Sequence, residues 1–203
     1  MAKFFSGSTP LVVAHRGLAL SAPENTLPAF EAAIAAGTDI LETDVHASAD
    51  DVAMIAHDSD LHRVATRADA VRDLTAATLQ SIDLGGATMP TLSEALHSFP
   101  HARFSIDIKH SAAITPTIEA IKAARAEDRV MVASFSESRR SQVVSALPGI
   151  TTAGTARHVG PAFVAHLVSQ PKAVNTVLAG VDALFIPPKA YGVSLLTPRF
   201  IQM

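Results

Sequence analysis

The sequence predicts a single α/β domain in which strands and helices alternate to build a (β/α) barrel. Short apolar runs rich in β-branched residues recur along the 203-residue chain, and helix signals with recognisable caps fall between them. Hydrophobic side chains make up 48%, enough for one sizeable core and too little chain for two domains. Regular alternation at this spacing implies a parallel sheet. It favours a barrel over the alternative, an open doubly wound sheet.

The elements follow in order. Leu11 to Ala14 reads as a strand that ends at His15-Arg16-Gly17. Thr26 is placed to cap a helix, Pro28 is tolerated in its first turn, Ala29 to Ala36 propagates it and Gly37 stops it. Asp39 to Val45 and Val52 to Ala56 read as the second and third strands, the third ending at His57-Asp58. Asp60 to Met89 is a polar excursion from the alternation, the longest in the chain. Thr91 and Glu94 have capping-box spacing for a helix through Leu96, and Arg103 to Ile108 is the fourth strand. Pro116 opens a helix through Ala126. Strands are expected at Val130 to Ala133, Thr151 to Thr155 and Ala183 to Ile186, with helices at Ser136 to Ala146 and Ala162 to Val168. The expectation is one domain over residues 1–203 with about seven strands and a small insertion at about 60–89.

Composition narrows the function. A net charge of -3 and a pI near 6.3 provide no broad basic field for nucleic acid or an anionic membrane. No segment offers the roughly 18 uninterrupted apolar residues of a membrane span, and the N-terminus lacks the apolar core of a leader, so a cytoplasmic protein is expected. With no cysteine, a metal would be held by carboxylate, carbonyl or imidazole, which makes a hard divalent cation the natural candidate. Oligomeric state is not legible.

Chemistry-bearing residues cluster at strand ends. His15 and His57 end successive candidate strands, where a barrel builds its active site, and a pair of imidazoles facing one ligand suits acid–base catalysis near neutral pH; the alternative for each alone is an ordinary hydrogen-bonded histidine. Glu42 and Asp44 lie two apart on one strand, so both carboxylates project from one face toward the lumen; a divalent cation would relieve their repulsion, and the alternative is a solvated strand edge. Asp107 and Lys109 share a face by the same logic, with Ile106 and Ile108 pointing the other way. Asp107 is a third candidate ligand, while Lys109 and Arg16 are candidates to meet a phosphoryl oxygen; the alternative is an internal Asp–Lys ion pair. Glu24 and Asn25 are read equally as orienting groups or as turn chemistry. His46, His62, His97, His101, His110, His158 and His166 are taken as ordinary surface or loop residues.

Taken in order, His15-Arg16-Gly17, Pro23-Glu24-Asn25-Thr26, Glu42-x-Asp44, His57-Asp58, Pro90-Thr91-Leu92, Asp107-x-Lys109 and Ser134-Phe135 resemble the signature of bacterial glycerophosphodiester phosphodiesterases. The similarity runs from about Leu11 to Ile186, with the polar excursion in the place of the family's small insertion. The resemblance implies a TIM (β/α)8-type barrel with one divalent ion, Ca2+ or Mg2+, held by residues matching Glu42, Asp44 and Asp107. It implies His15 and His57 as acid and base, and Arg16 and Lys109 as the groups that neutralise the substrate. The implied substrate is a small glycerophosphodiester, whose glycerol 2-hydroxyl attacks phosphorus to give a cyclic phosphate that water opens to glycerol 3-phosphate. A non-catalytic module binding metal or phosphate, and a lysophospholipase D-like enzyme, are the alternatives. Two departures stand out. The family has Glu where Asp107 stands, and it continues beyond the length of this chain into an eighth strand with a Trp-containing motif, so the barrel is expected to be incomplete at its C-terminus, as a fragment or natural truncation.

Overall fold

A computed structural model describes residues 3–190 and 192–201. Met1, Ala2, Tyr191, Gln202 and Met203, which include part of the C-terminal tail beyond the last expected strand, lie outside the described residues. Strand β1 (Val13–His15) leads into helix α1 (Leu27–Ala35), then β2 (Ile40–Ala47) and β3 (Ala53–Ile55). The excursion holds the short helices α2 (His62–Ala65) and α3 (Ala76–Gln80). Alternation resumes with α4 (Leu92–Ser98), β4 (Arg103–Ile108), α5 (Ile114–Ala123), β5 (Val130–Ala133) and α6 (Glu137–Ala146). It continues through β6 (Thr151–Gly154), α7 (Ala156–Leu167), α8 (Pro171–Val177) and β7 (Ala183–Leu184). A two-residue-per-strand hairpin, β8 (Lys189–Ala190) with β9 (Val193–Ser194), and a short α9 (Pro198–Ile201) follow.

The sheet order is β1-β2-β4-β5-β6-β7, every neighbouring pair parallel. This is the curled parallel sheet of an incomplete TIM barrel; β1 and β7 are its outer strands, unpaired with each other among the described residues. Side chains alternate across it as strand periodicity requires. Leu41, Val45, Phe104, Ile106, Ile108, Val130 and Val132 face the helices and pack with Phe30, Leu92, Leu96, Ile121 and Val143 in the main core. On the opposite face Ile40, Met131, Ala133 and Ala153 surround Phe4, which closes the lumen from the N-terminal side of the strands. Arg103 fixes that plug by donating from Nη1 to the carbonyls of Phe4 and Ser6, at 2.8 and 2.7 Å. The lumen is therefore apolar at the bottom, and the polar residues of β2 and β4 lie above the apolar layer.

Two expectations need correction. The third strand is not a barrel strand: β3 pairs antiparallel with β2, Val45 opposite Ile55 and Ala47 opposite Ala53. A parallel crossover needs a dozen or more residues, and the Ser48–Val52 connection, which turns at Asp51 with φ 57°, is far too short to be one. The excursion is also more than polar chain. Leu61, Val71, Ala76, Leu79, Ile82 and Met89 bury themselves against Met54 and Ala56 in a small core of their own. Helix boundaries shift modestly, most at α7, which starts at Ala156 rather than beyond Pro161 because a capping box formed by Thr155 and His158 initiates it. The expected box at Thr91 and Glu94 is formed at the start of α4.

Candidate active site

The loop after β1 makes the first wall. Arg16 adopts a left-handed conformation, φ 60°, and Gly17 follows at φ 79°, where an added Cβ would stand 2.8 Å from the Ala29 carbonyl carbon and oxygen. This turn directs the Arg16 amide at β2, donating to the Glu42 carbonyl at 3.0 Å and to Glu42 Oε2 at 3.1 Å. The guanidinium meets Glu24 Oε1 at 3.0 Å through Nη1, and its Nε lies 3.4 Å from Asp44 Oδ2. Asn25, also left-handed at φ 58°, donates from Nδ2 to Asp44 Oδ2 at 3.1 Å and accepts from Thr43 Oγ1 at 2.8 Å.

Asp44 and Asp107 are direct partners in the β2–β4 register, which puts both carboxylates at one level. Lys109 Nζ stands between them, 2.8 Å from Asp44 Oδ1 and 2.8 Å from Asp107 Oδ2. Burial pulls the ammonium's pKa down, but the hydrogen bonds to Asp107 and Asp44 outweigh it and hold it above the ordinary value. The Phe135 ring lies 5.7 Å from the same Nζ. Glu42, in contrast, makes no ion pair with a lysine or arginine among the described residues. Burial and the charge of Asp44 push its pKa up to about 7, with a smaller push from Asp107, against the pull of the Arg16 amide. His15 Nε2 is 4.0 Å from Glu42 Oε2 and its side chain is largely exposed.

His57 reaches this end of the sheet because β3 runs back along β2, the Ala56 amide donating to the Asp44 carbonyl at 3.0 Å. Its Nδ1 is 2.7 Å from Asp58 Oδ1, so with that nitrogen protonated Nε2 is the free one. Burial works against the Asp58 anion, yet the bonds to His57 and Arg63 prevail and hold its pKa below the ordinary value. His46, read from sequence as an ordinary residue, places Nε2 3.3 Å from the His57 carbonyl, which can only accept, so this nitrogen is the donor; burial lowers the ring's pKa. His158 likewise has a specific place, in the α7 cap beside Glu137.

The structure thus brings Arg16, Glu42, Asp44, Asp107 and Lys109 together, with His15 beside Glu42; His57 joins them through Asp58, Arg63 and Glu24. Among the described residues no three Asp, Glu or His groups converge tightly enough to hold an ion. The donor set nonetheless fits a hard divalent cation. Three carboxylates share the face, Asp107 Oδ1 is buried with no hydrogen-bond partner, and burial with the Asp44 charge works against the Glu42 anion.

A parallel α/β sheet with carboxylates, two cations and a carboxylate-held imidazole at its strand ends defines a barrel enzyme acting on an anionic ester. Comparison supplies the family: residues 15–197 match the Glycerophosphoryl diester phosphodiesterase family, and the chain belongs to it. A relative named probable glycerophosphodiester phosphodiesterase 2, from Mycobacterium tuberculosis, is 34% identical over 200 residues, covering 95% of this chain and 74% of the relative. A glycerophosphodiester phosphodiesterase from Caldanaerobacter subterraneus is 34% identical over 140 residues, covering 62% of this chain and 58% of the relative. The fold matches the glycerophosphodiester phosphodiesterase of Agrobacterium tumefaciens with TM-score 0.70 and 24% identity, over 87% of this chain and 85% of the other. It also matches an Oleispira antarctica phosphodiesterase solved with the product sn-glycerol-3-phosphate, TM-score 0.71 and 23% identity, over 88% and 85% of the two chains.

Proposed function

We propose that the chain hydrolyses glycerophosphodiesters to glycerol 3-phosphate and an alcohol, with His15 and His57 as the acid–base pair and a divalent cation held by Glu42, Asp44 and Asp107. The observation that carries this reading is the convergence of Arg16, Asn25 and Lys109 on the buried Asp44, which assembles two cations on one carboxylate at the strand ends. When bound, the cation supplies Lewis-acid charge neutralisation for the diester. Arg16 offers a planar fork and Lys109 a point charge to the non-bridging oxygens, where negative charge builds in the transition state. One imidazole takes the proton of the glycerol 2-hydroxyl as that oxygen attacks phosphorus, and the other gives a proton to the departing alkoxide. The roles reverse when water opens the cyclic phosphate. His57 suits either part because Asp58 fixes its ring with Nε2 free.

The direct test is glycerol 3-phosphate release from glycerophosphocholine by the purified chain with Ca2+, with Mg2+ and with chelator. Metal-dependent release is expected, and silence from a folded chain with both metals would sink the reading. A lysophospholipid is the second choice of substrate. It is favoured by the exposed Phe135 at the end of β5, which gives an apolar group next to Lys109. No described helix is long and apolar enough to cross a membrane.

Glu42 and His46 make opposed contributions to the pH behaviour of the metal-free chain, because burial raises the pKa of the carboxyl and lowers that of the imidazole. The folded pKa of Glu42, about 7, exceeds the ordinary 4.5, so between those values the folded chain holds a proton that the unfolded chain has lost. The Glu42 contribution to stability in chelator therefore falls as pH rises through this window, and comparison with Glu42→Gln isolates it from that of His46. Thermal melts at about pH 5 and about pH 8 should show this contribution as a more negative change in melting point for the native chain than for Glu42→Gln.

A further inference from the structure

Arg63 belongs to none of the groups assigned a role in the proposed reaction, yet it joins the two sides of the site. Its Nε donates to Asp58 Oδ2 at 2.6 Å, and its Nη2 donates to Glu24 Oε1 at 2.7 Å. The other Asp58 oxygen meets His57 Nδ1 at 2.7 Å, and Glu24 Oε1 also receives Arg16 Nη1 at 3.0 Å. One guanidinium thereby connects the imidazole on the β3 side to the guanidinium on the β1 side. The planar fork suits this task, since it bonds two separate carboxylates in one fixed geometry.

The base of Arg63 is itself held firmly. Helix α2 follows directly on the fully buried Leu61, part of the excursion's core, and the chain around it is cross-linked by Leu61 N to Asp69 O and Val71 N to Ser59 O, each 3.0 Å. The Asp60 carboxylate accepts from the His62 amide at 3.0 Å. By contrast, the Arg63 side chain is about half exposed, 47%, where ion pairs add little stability. An arrangement that contributes little to stability but is anchored on a dedicated core points to orientation as its purpose.

We propose that Arg63 is a positioning residue for catalysis, a clamp that fixes Asp58, and through it the His57 ring, while holding Glu24 against Arg16. The small core of residues 61–89 serves as the mount for that clamp. The proposal rests on the assignment of His57 and Arg16 to the phosphodiesterase reaction.

The test is a double-variant cycle with Arg63→Met and Asp58→Asn, read as kcat and KM separately and alongside thermal melts. Arg63→Met should lower kcat about tenfold to a hundredfold with a melting point close to native, because small misplacements of a catalytic group have effects of that order. In the Asp58→Asn background the same change should lower kcat by less than about threefold, since its route to His57 is already broken. Arg67→Met, which breaks only the pair with Asp69, should leave kcat unchanged. An equal loss in both backgrounds overturns the route through Asp58 to His57, and unchanged kcat in Arg63→Met overturns the clamp as a whole. Should the native chain show no turnover, the assigned reaction fails, and the imidazole 15N resonances of His57 decide the clamp instead. A shift in Arg63→Met toward the Asp58→Asn spectrum supports it, and a native spectrum overturns it.

Discussion

His57→Ala is expected to lower glycerol 3-phosphate release by about 10²- to 10⁴-fold, the range spanned by loss of a positioned acid or base. The fold should survive. The His57 side chain is about one-third exposed, and its removal leaves Asp58 still bound to Arg63, so no buried charge is orphaned. Circular dichroism and a thermal melt establish the fold, and steady-state kinetics in saturating divalent metal give the loss. An activity within about threefold of native would remove His57 from the chemistry. Asp58→Asn should give a smaller loss, because the ring remains while the anion that fixes and balances it is gone.

Asp44→Ala should abolish measurable turnover and destabilise the chain together. Asp44 is 1% exposed and is the shared partner of Lys109, Arg16 and Asn25. Truncation leaves a half-buried ammonium with one carboxylate instead of two and removes the charge facing the Arg16 Nε, which has no hydrogen-bond partner elsewhere. Breaking one side of a buried ionic cluster costs about 3–5 kcal/mol. In a chain of this size each kcal/mol moves the melting point by about 2–4 °C, so a fall on the order of 10 °C is expected. Asp44→Asn, which keeps the side-chain volume and an accepting oxygen, should recover part of the stability and none of the activity. Asp107→Ala should destabilise less, because one of its oxygens has no partner to lose. Equal melting points for Asp44→Ala and the native chain would show that the cluster adds nothing to folding.

The parts of this site that follow a short-range rule were legible in the sequence. Period-two alternation placed Glu42 and Asp44 on one face of β2 and turned Ile106 and Ile108 away from Asp107 on β4, as the core composition bears out. The Thr91 and Glu94 spacing gave the α4 cap. Direction was harder. The run Val52 to Ala56 has the composition of a buried strand whichever way it pairs, and only the shortness of the turn before it decides for antiparallel. The excursion's core escaped notice because Leu61, Val71, Leu79, Ile82 and Met89 fall across short, irregular pieces with no single period for apolar residues to follow. The Arg63 bonds were invisible for another reason. Glu24 and Arg63 are 39 positions apart, and no local pattern links them until the fold brings β1 and the excursion side by side.

The direct pairing of β2 with β4 has a consequence for how such a molecule can change over time. Everything between these neighbours, the reversed strand, the excursion and α4, enters and leaves the sheet on adjacent staves, so the hydrogen-bonded frame does not depend on how long that path is. Insertions and swaps that spare the small core under Arg63 can remodel the mouth above the strand ends while the register of Asp44 with Asp107 stays fixed. A lineage, or an engineer, can thus revise what the mouth admits without rewriting the scaffold beneath it.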